Sequence, residues 1–206
     1  MVPNSLGPGE LLQHYGTEEQ RKKYLPKLVT SEYIPCFGLT GPHNGSDAAG
    51  KIDKGKLILK DGKKYIQVSV NKRYITLAPI SNLVGLAFNL EDPDNLLENG
   101  KEGITVALLE KDHPGLKLET YHNPLDAGFP NGTIKGDLLI ELESIIGGEE
   151  KCGQGWKMLM ECLAAGRAIS LPSSALASSW VSTYGVTGYA NVREQFGIPL
   201  SKMQGV

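Results

Sequence analysis

The chain has 206 residues, a formal net charge of −2 and 21% charged residues, enough for one large domain or for one domain with parts of its neighbours. That balance excludes a polyanion-binding surface, so it gives a nucleic-acid partner no electrostatic support. Three cysteines, Cys36, Cys152 and Cys162, are an odd and widely spaced set, which argues against a disulfide framework and for a reducing, cytoplasmic setting.

The first thirty residues read as helical. Thr17 with Gln20 three positions on has the form of a capping box, and Gly16 can end the preceding helix. Tyr24, Leu25 and Leu28 make an apolar stripe at helical spacing, with Pro26 expected to break or restart the segment. The N-terminus, MVPNSLGPGE, has neither a basic nor an apolar leader region, so no signal peptide is expected. No stretch is apolar and long enough to cross a bilayer.

From Ile34 the pattern turns to short strand-like runs. IPCFGLT leads into the loop GPHNGSDAAG. KLILK, KYIQVSV and YITLAPI follow, with Asp61-Gly62 as a hairpin signal between the first two. LVGLAF, ITVALL, LKLET and IKGDLLIELESIIGG come next, separated by Pro, Gly, Asp and Asn. So many short strands predict a mostly antiparallel barrel or sandwich over about 34–146.

From Gly155 the chain is rich in Ala, Leu, Met and Ser. WKMLMECLAAGRAISLPSSALASSWVSTYGVTGYANVREQF predicts one long buried helix, kinked near Pro172, with another helix beginning at SKMQGV. A helix apolar nearly all round needs partners on every side.

Three places could carry chemistry. The loop Thr40–Asp47 combines glycines with hydroxyls and can bring backbone N–H groups close to an oxygen-rich ligand. It also fits an ordinary turn between strands. Tyr74 and Thr76 share one strand face, an aromatic plane beside a hydroxyl that suits a flat heteroaromatic ring. On the residues alone a routine half-buried face is the preferred reading. Arg167, in an apolar helix, needs an anionic ligand or an internal ion pair. His14, His43, His113 and His122 lack metal-ligand spacing, and His113 and His122 are expected to be solvated in turns. Glu141 and Glu161 are lone carboxylates. No nucleophile elbow, P-loop or dinucleotide fingerprint is present.

In this order and spacing, five segments resemble the acyl-CoA dehydrogenase family: YGTEEQRKKYLPKL, GLTGPHNGSDAAG, NKRYIT, GQGWKMLMECLAAGR and VREQFG. The wording of VPNSLGPGELL, NKRYITLAPI and ECLAAGRAISLP is most similar to the bacterial long-chain branch of fatty-acid degradation. The resemblance implies an α+β fold. Residues 1–33 would end an N-terminal helical domain, 34–150 would form the β middle domain, and 151–206 would begin a truncated C-terminal helical bundle.

The same resemblance implies FAD as hydride acceptor and the oxidation of acyl-CoA to trans-2-enoyl-CoA. Phe37, Leu39, Thr40, Gly45, Ser46, Tyr74 and Thr76 would contact FAD, with Thr76 near flavin N5 and Tyr74 where many members have Trp. Ser46, Leu163, Gly166 and Arg167 would line the acyl-CoA site. Arg193, Gln195 and Phe196 would touch FAD held by another protomer, which implies a homo-oligomer. An electron-transfer flavoprotein or similar acceptor would take the electrons.

Two positions depart from the family pattern. Gly41 stands where Glu is usual, and Ala164 where an acidic residue is common. The catalytic base of the family is a glutamate at one of two places. One corresponds to Gly166, which cannot serve. Glu161 is five residues away, about 140° around a helix. The other place lies beyond Val206, so the chain alone is expected to be inactive. An acyl-CoA oxidase and a non-catalytic, truncated relative are the alternative readings, and membrane association of the longer protein stays open.

Overall fold

The computed structural model describes residues 3–126 and 128–206; for residues 3–6, 120 and 164–167 it describes the backbone only. Contacts divide the chain into two compact units, residues 1–164 and 165–206.

The first unit opens with α1 (Pro3–Tyr15) and α2 (Glu18–Val29). The capping box forms as expected. Gln20 N donates to Thr17 Oγ1 at 3.2 Å, and Thr17 N donates to Gln20 Oε1 at 3.0 Å. Pro26 does not break α2. It stands in the last turn, where it forfeits a single backbone bond and the helix ends three residues later. Gln20 is buried and reaches further: Nε2 donates to the carbonyls of Glu143 (2.9 Å) and Ile145 (2.7 Å), and Oε1 accepts from Gly147 N.

Seven strands follow: β1 (Pro35–Gly38), β2 (Lys54–Lys60), β3 (Lys63–Thr76), β4 (Leu83–Glu91), β5 (Gly103–Glu110), β6 (Lys117–Tyr121) and β7 (Asn131–Glu141). They form one curled sheet in the order β1-β4-β2-β3-β7-β6, with β5 also on β4. Asp61 and Gly62 both have positive φ (50° and 76°), the two-residue turn that matches strand twist, so β2 and β3 make the expected hairpin. YITLAPI is not all strand. β3 ends at Thr76, Leu77 turns left-handed (φ 66°), and Ala78–Ile80 is a 3₁₀ turn, because Pro79 has no N–H to give a ladder.

Four pairings are antiparallel, as expected, but β1 and β2 both run parallel to β4. β5 occupies one edge of β4, so β1 and β2 share the other, end to end. Gly38 sits opposite Leu86 and Lys54 opposite Asn89. Three residues of strand span about 10 Å. Residues 39–53 cannot fit along that gap and loop out of the sheet.

The sheet buries both faces. One core gathers Leu57, Ile66, Val68, Phe88, Ile134 and Ile140. The other packs Leu83, Ala87 and Val106 against Leu11 and Leu12 of α1 and Met158 and Leu159 of α3 (Gly155–Ala165).

The expected single buried helix is three pieces. α3 is followed by a π-helical turn, Gly166–Ser170, and then by α4 (Leu171–Val192). Pro172 begins the new helix, in the first turn, where its missing N–H costs nothing. In the second unit Leu176, Trp180, Tyr184 and Tyr189 of α4 are exposed. Next, β8 (Glu194–Gln195) and β9 (Ile198–Pro199) make a small hairpin, turned by Phe196 and Gly197 at φ 53° and 77°. The helix expected at SKMQGV is only a 3₁₀ turn, Leu200–Lys202.

Candidate functional site

The looped-out segment is held from within. Asn44 is buried and acts as its hub: Oδ1 accepts from Gly41 N (2.8 Å), and Nδ2 donates to the carbonyls of Leu39 (3.1 Å) and Ala48 (3.2 Å). A Cβ on Gly41 would lie 3.0 Å from both Asn44 Oδ1 and the Asn71 carbonyl. Any side chain there, a glutamate included, requires Asn44 or the Asn71 carbonyl to give by a few tenths of an ångström, so the glycine at 41 suits the Asn44 hub. Gly45 is open, with nothing within 4 Å of where a Cβ would stand, and Ser46 is exposed at the loop crown. Leu39 and Thr40 are half-buried at its base. Phe37 sits differently from an exposed ligand contact. Its ring packs in the helix-side core, against the close approach of Gly85.

Strand β3 runs beside this loop. Arg73 N donates to the Thr40 carbonyl (3.1 Å), and Arg73 Nη2 to the Pro42 carbonyl (3.4 Å). Lys72, on the same strand, is wholly buried. Its Nζ lies 2.9 Å from Asp53 Oδ2 and 3.2 Å from the Leu39 carbonyl. Burial pushes the Lys72 pKa down, and Asp53 opposes that shift.

Between Lys72 and Ile75 the pairing with β7 slips by one residue, a bulge at Tyr74. Tyr74 takes a left-handed backbone, φ 61°, uncommon for a residue with a side chain. The residue is 55% exposed. The ring of His122 lies 5.1 Å from it, tilted by 50°, and the Arg73 guanidinium carbon lies 5.2 Å from its centre. Thr76 is half-buried, pairs with Asn131 on β7, and its hydroxyl has no hydrogen-bond partner among the described residues.

Buried polar atoms without a partner gather at the same place: Arg73 Nε, His122 Nε2 and Asn131 Oδ1. His122 was expected to be solvated. It is half-buried instead, held by its backbone N–H to the Asn131 carbonyl at 2.6 Å, which brings its ring over Tyr74.

The remaining candidates lie elsewhere. Leu163 is buried in the helix-side core near Gly7 of α1. Gly166 and Arg167 fall on the π-helical turn, where the backbone alone is described, so the Arg167 side chain lies outside the description. Glu161 accepts a hydrogen bond from Tyr15 and pairs with Lys157 at 3.8 Å. Arg193, Gln195 and Phe196 belong to the second unit, at and beside the β8–β9 turn, and Phe196 is 96% exposed.

Sequence reasoning missed Lys72, Asp53, Asn44 and His122. For Lys72 a signal was present: it continues the inward alternation of Val68 and Val70, where a lysine needs a buried partner. Among the described residues no group of three His, Cys, Asp or Glu could hold a metal ion, and no helix is long and apolar enough to cross a membrane.

No protein-family model matches the chain. Among curated proteins it is 47% identical over 90 residues to protein HemX of Proteus mirabilis, covering 43% of this chain and 53% of that protein. It is 33% identical to the mitochondrial isobutyryl-CoA dehydrogenase of Dictyostelium discoideum, over 95% of this chain and 44% of that one. It is 31% identical to an acyl-CoA dehydrogenase of Bacillus subtilis, over 100% of this chain and 51% of that one. The chain thus spans about half the length of the curated relatives it matches.

Solved structures agree. An acyl-CoA dehydrogenase complexed with FAD from Bacillus anthracis superposes at a TM-score of 0.76 with 25% identity, covering 98% of this chain and 32% of that one. The butyryl-CoA dehydrogenase of Megasphaera elsdenii gives 0.73 and 26%, covering 98% and 50%. Apart from HemX, these relatives and solved structures are named as acyl-CoA dehydrogenases, and the solved ones share this α+β fold. Their stated substrates include isobutyryl-, butyryl- and short-chain acyl-CoA, so they do not single out a long-chain branch.

Proposed function

We infer that the chain belongs to the acyl-CoA dehydrogenase family and supplies the flavin-facing β layer of an enzyme that oxidises acyl-CoA thioesters to trans-2-enoyl-CoA. The observation that carries this reading is the cluster at Tyr74. An exposed aromatic ring on a strained backbone, an unpartnered Thr76 hydroxyl and three unmet buried polar groups meet beside a glycine loop. Unmet polar groups in a folded protein ask for a ligand or water, and a residue held left-handed against its preference points to use.

These residues fit a flavin. Tyr74 offers a flat face, Thr76 a hydroxyl, and the open crown of the loop at Gly45 and Ser46 lets a phosphate-bearing chain approach backbone N–H groups. Bound there, FAD would supply the acceptor for the β-hydride. The chain's own part is to orient: Thr76 would hold the ring edge, Tyr74 would cover one face, and the loop would take the rest of the cofactor.

The α-proton needs a base, and the described residues offer none in this neighbourhood. Glu161 is engaged by Tyr15 and Lys157. The resemblance assigns the base to a glutamate outside these residues, because Gly166 has no side chain to serve, and on that reading the 206 residues alone are expected to be inactive. Leu163 on α3, and Gly166 and Arg167 on the π-helical turn, keep the part toward acyl-CoA that the resemblance implies, and the domain bounds at 33 and 150 rest on the same resemblance. The long-chain preference rests on the wording of the sequence. Phe196, an aromatic 96% exposed at a hairpin tip, supports the homo-oligomer in which it and Arg193 reach a neighbour's cofactor. The electrons would pass to an electron-transfer flavoprotein or similar carrier.

Titration with FAD, followed by flavin fluorescence, tests the reading in the full-length protein containing these residues. Tight binding supports it, and no saturable binding refutes it. Assays with dioxygen and with an artificial acceptor then separate an oxidase from a dehydrogenase.

A further inference from the structure

We propose that Lys72 is a positioning residue: it clasps the loop 39–53 at both ends and thereby sets the glycine loop against Tyr74 and Thr76. The proposal rests on the flavin reading above.

Lys72 Nζ meets Leu39, the first residue of the looped-out segment, through its carbonyl, and Asp53, the last, through its carboxylate. Both ends are themselves anchored. The Leu39 carbonyl also accepts from Asn44 Nδ2 at 3.1 Å, the hub of the loop. Asp53 accepts from Asn71 N through Oδ2 (3.2 Å) and from Asn89 N through its carbonyl (2.8 Å). The lysine stem runs beneath Gly38, where a Cβ would come within 3.4 Å of Lys72 Cγ. One ammonium thus joins β1, the loop and the start of β2 to β3, two residues before Tyr74 and four before Thr76.

Stability alone does not account for this choice. A buried ion pair is commonly replaceable by apolar side chains of similar volume without loss, and sometimes with gain. A methionine would fill the same channel. What methionine cannot do is grip two separated backbone segments by directed bonds. Leu39 and Asp53 flank the loop, so removing the grip breaks the one link that ties its two ends to each other, while each keeps its own anchor and the sheet beneath stays paired through β4.

The experiment compares Lys72→Met, Asp53→Asn and the core control Leu138→Ala in the full-length protein. FAD dissociation constants are measured by fluorescence titration at a temperature where circular dichroism shows each variant folded. Lys72→Met is expected to raise the FAD dissociation constant at least tenfold. Asp53→Asn, which leaves the Leu39 bond in place, should raise it by a smaller factor. Leu138→Ala, whose side chain lies in the sheet core away from the loop, should lower the melting temperature and leave FAD affinity at the wild-type value. A pair that merely holds the fold would shift melting without moving FAD affinity, or would leave both pair variants unfolded; either result overturns the proposal. Wild-type protein that binds no FAD would instead overturn the flavin reading on which it rests.

Discussion

Lys72 and Ile75 lie three residues apart on one strand, yet Ile75 packs in the same core as Val68 and Val70, whose inward alternation Lys72 continues. Strict alternation would put them on opposite faces. The bulge between them resets the alternation, and Tyr74 absorbs it with a left-handed backbone.

That backbone has a measurable cost. A β-branched side chain tolerates this region worst and asparagine well. Tyr74→Val should therefore destabilise the protein by about 1–3 kcal/mol. Tyr74→Asn should cost clearly less, although it loses the same ring. Equal losses in urea unfolding would show that the ring contacts with His122 and Arg73, not the backbone, set the cost.

Gln20 ties α2 to the exit of β7 with one buried amide. Gln20→Ala removes four hydrogen bonds and leaves the carbonyls of Glu143 and Ile145 without that donor. A destabilisation of roughly 2–4 kcal/mol is expected from unmet buried groups. A change under about 0.5 kcal/mol, the size of a typical surface substitution, would mean that water replaces the amide at no cost.

Local chemistry made part of this fold readable. Thr17 with Gln20 and Asp61 with Gly62 are rules of a few residues, and both held. The run of strands from β1 to β7 was readable for the same reason. Pro26 misled because proline's penalty depends on its place in the helix, and the helix end was not visible from the residue itself. The parallel run of β1 and β2 along β4 escaped, because pairing between distant strands leaves no local mark. Tyr74 and Thr76 were readable as an aromatic beside a hydroxyl. His122 was not, since only the β6–β7 pairing and its bond to Asn131 bring it there.

Thr76 tests the cofactor assignment residue by residue. If its free hydroxyl bonds the flavin edge, Thr76→Ala in the full-length protein should weaken FAD binding or slow flavin reduction by about fivefold, the size of one lost hydrogen bond near 1 kcal/mol. Stopped-flow reduction by an acyl-CoA measures it. Unchanged affinity and an unchanged rate would remove Thr76 from the site.

Cys36 makes the fold sensitive to alkali. Burial pushes its thiol up to about 12, against a smaller opposing effect of the hydrogen bond from Ser81. An unfolded thiol ionises near pH 8.5. Between those values the unfolded chain has lost the proton that the folded chain keeps, so stability falls as pH rises, by at most about 1.4 kcal/mol per unit. Below that window Cys36 adds no pH dependence. Wild type should thus lose stability above about pH 8.5 more steeply than Cys36→Ala in urea unfolding. Parallel curves would place the thiol in contact with water.

The central claim is that these residues face a flavin that oxidises acyl-CoA, with the proton-accepting glutamate outside them. Anaerobic addition of acyl-CoA to the FAD-loaded full-length protein, beside the 206-residue chain given the same FAD, tests it most directly by flavin bleaching. Bleaching with enoyl-CoA formation is expected in the full-length protein. No turnover is expected in the 206-residue chain if the positioned base, worth about 10²–10⁴-fold, lies outside it as proposed. Absence of bleaching in the full-length protein, or comparable turnover by the 206 residues alone, would contradict the claim.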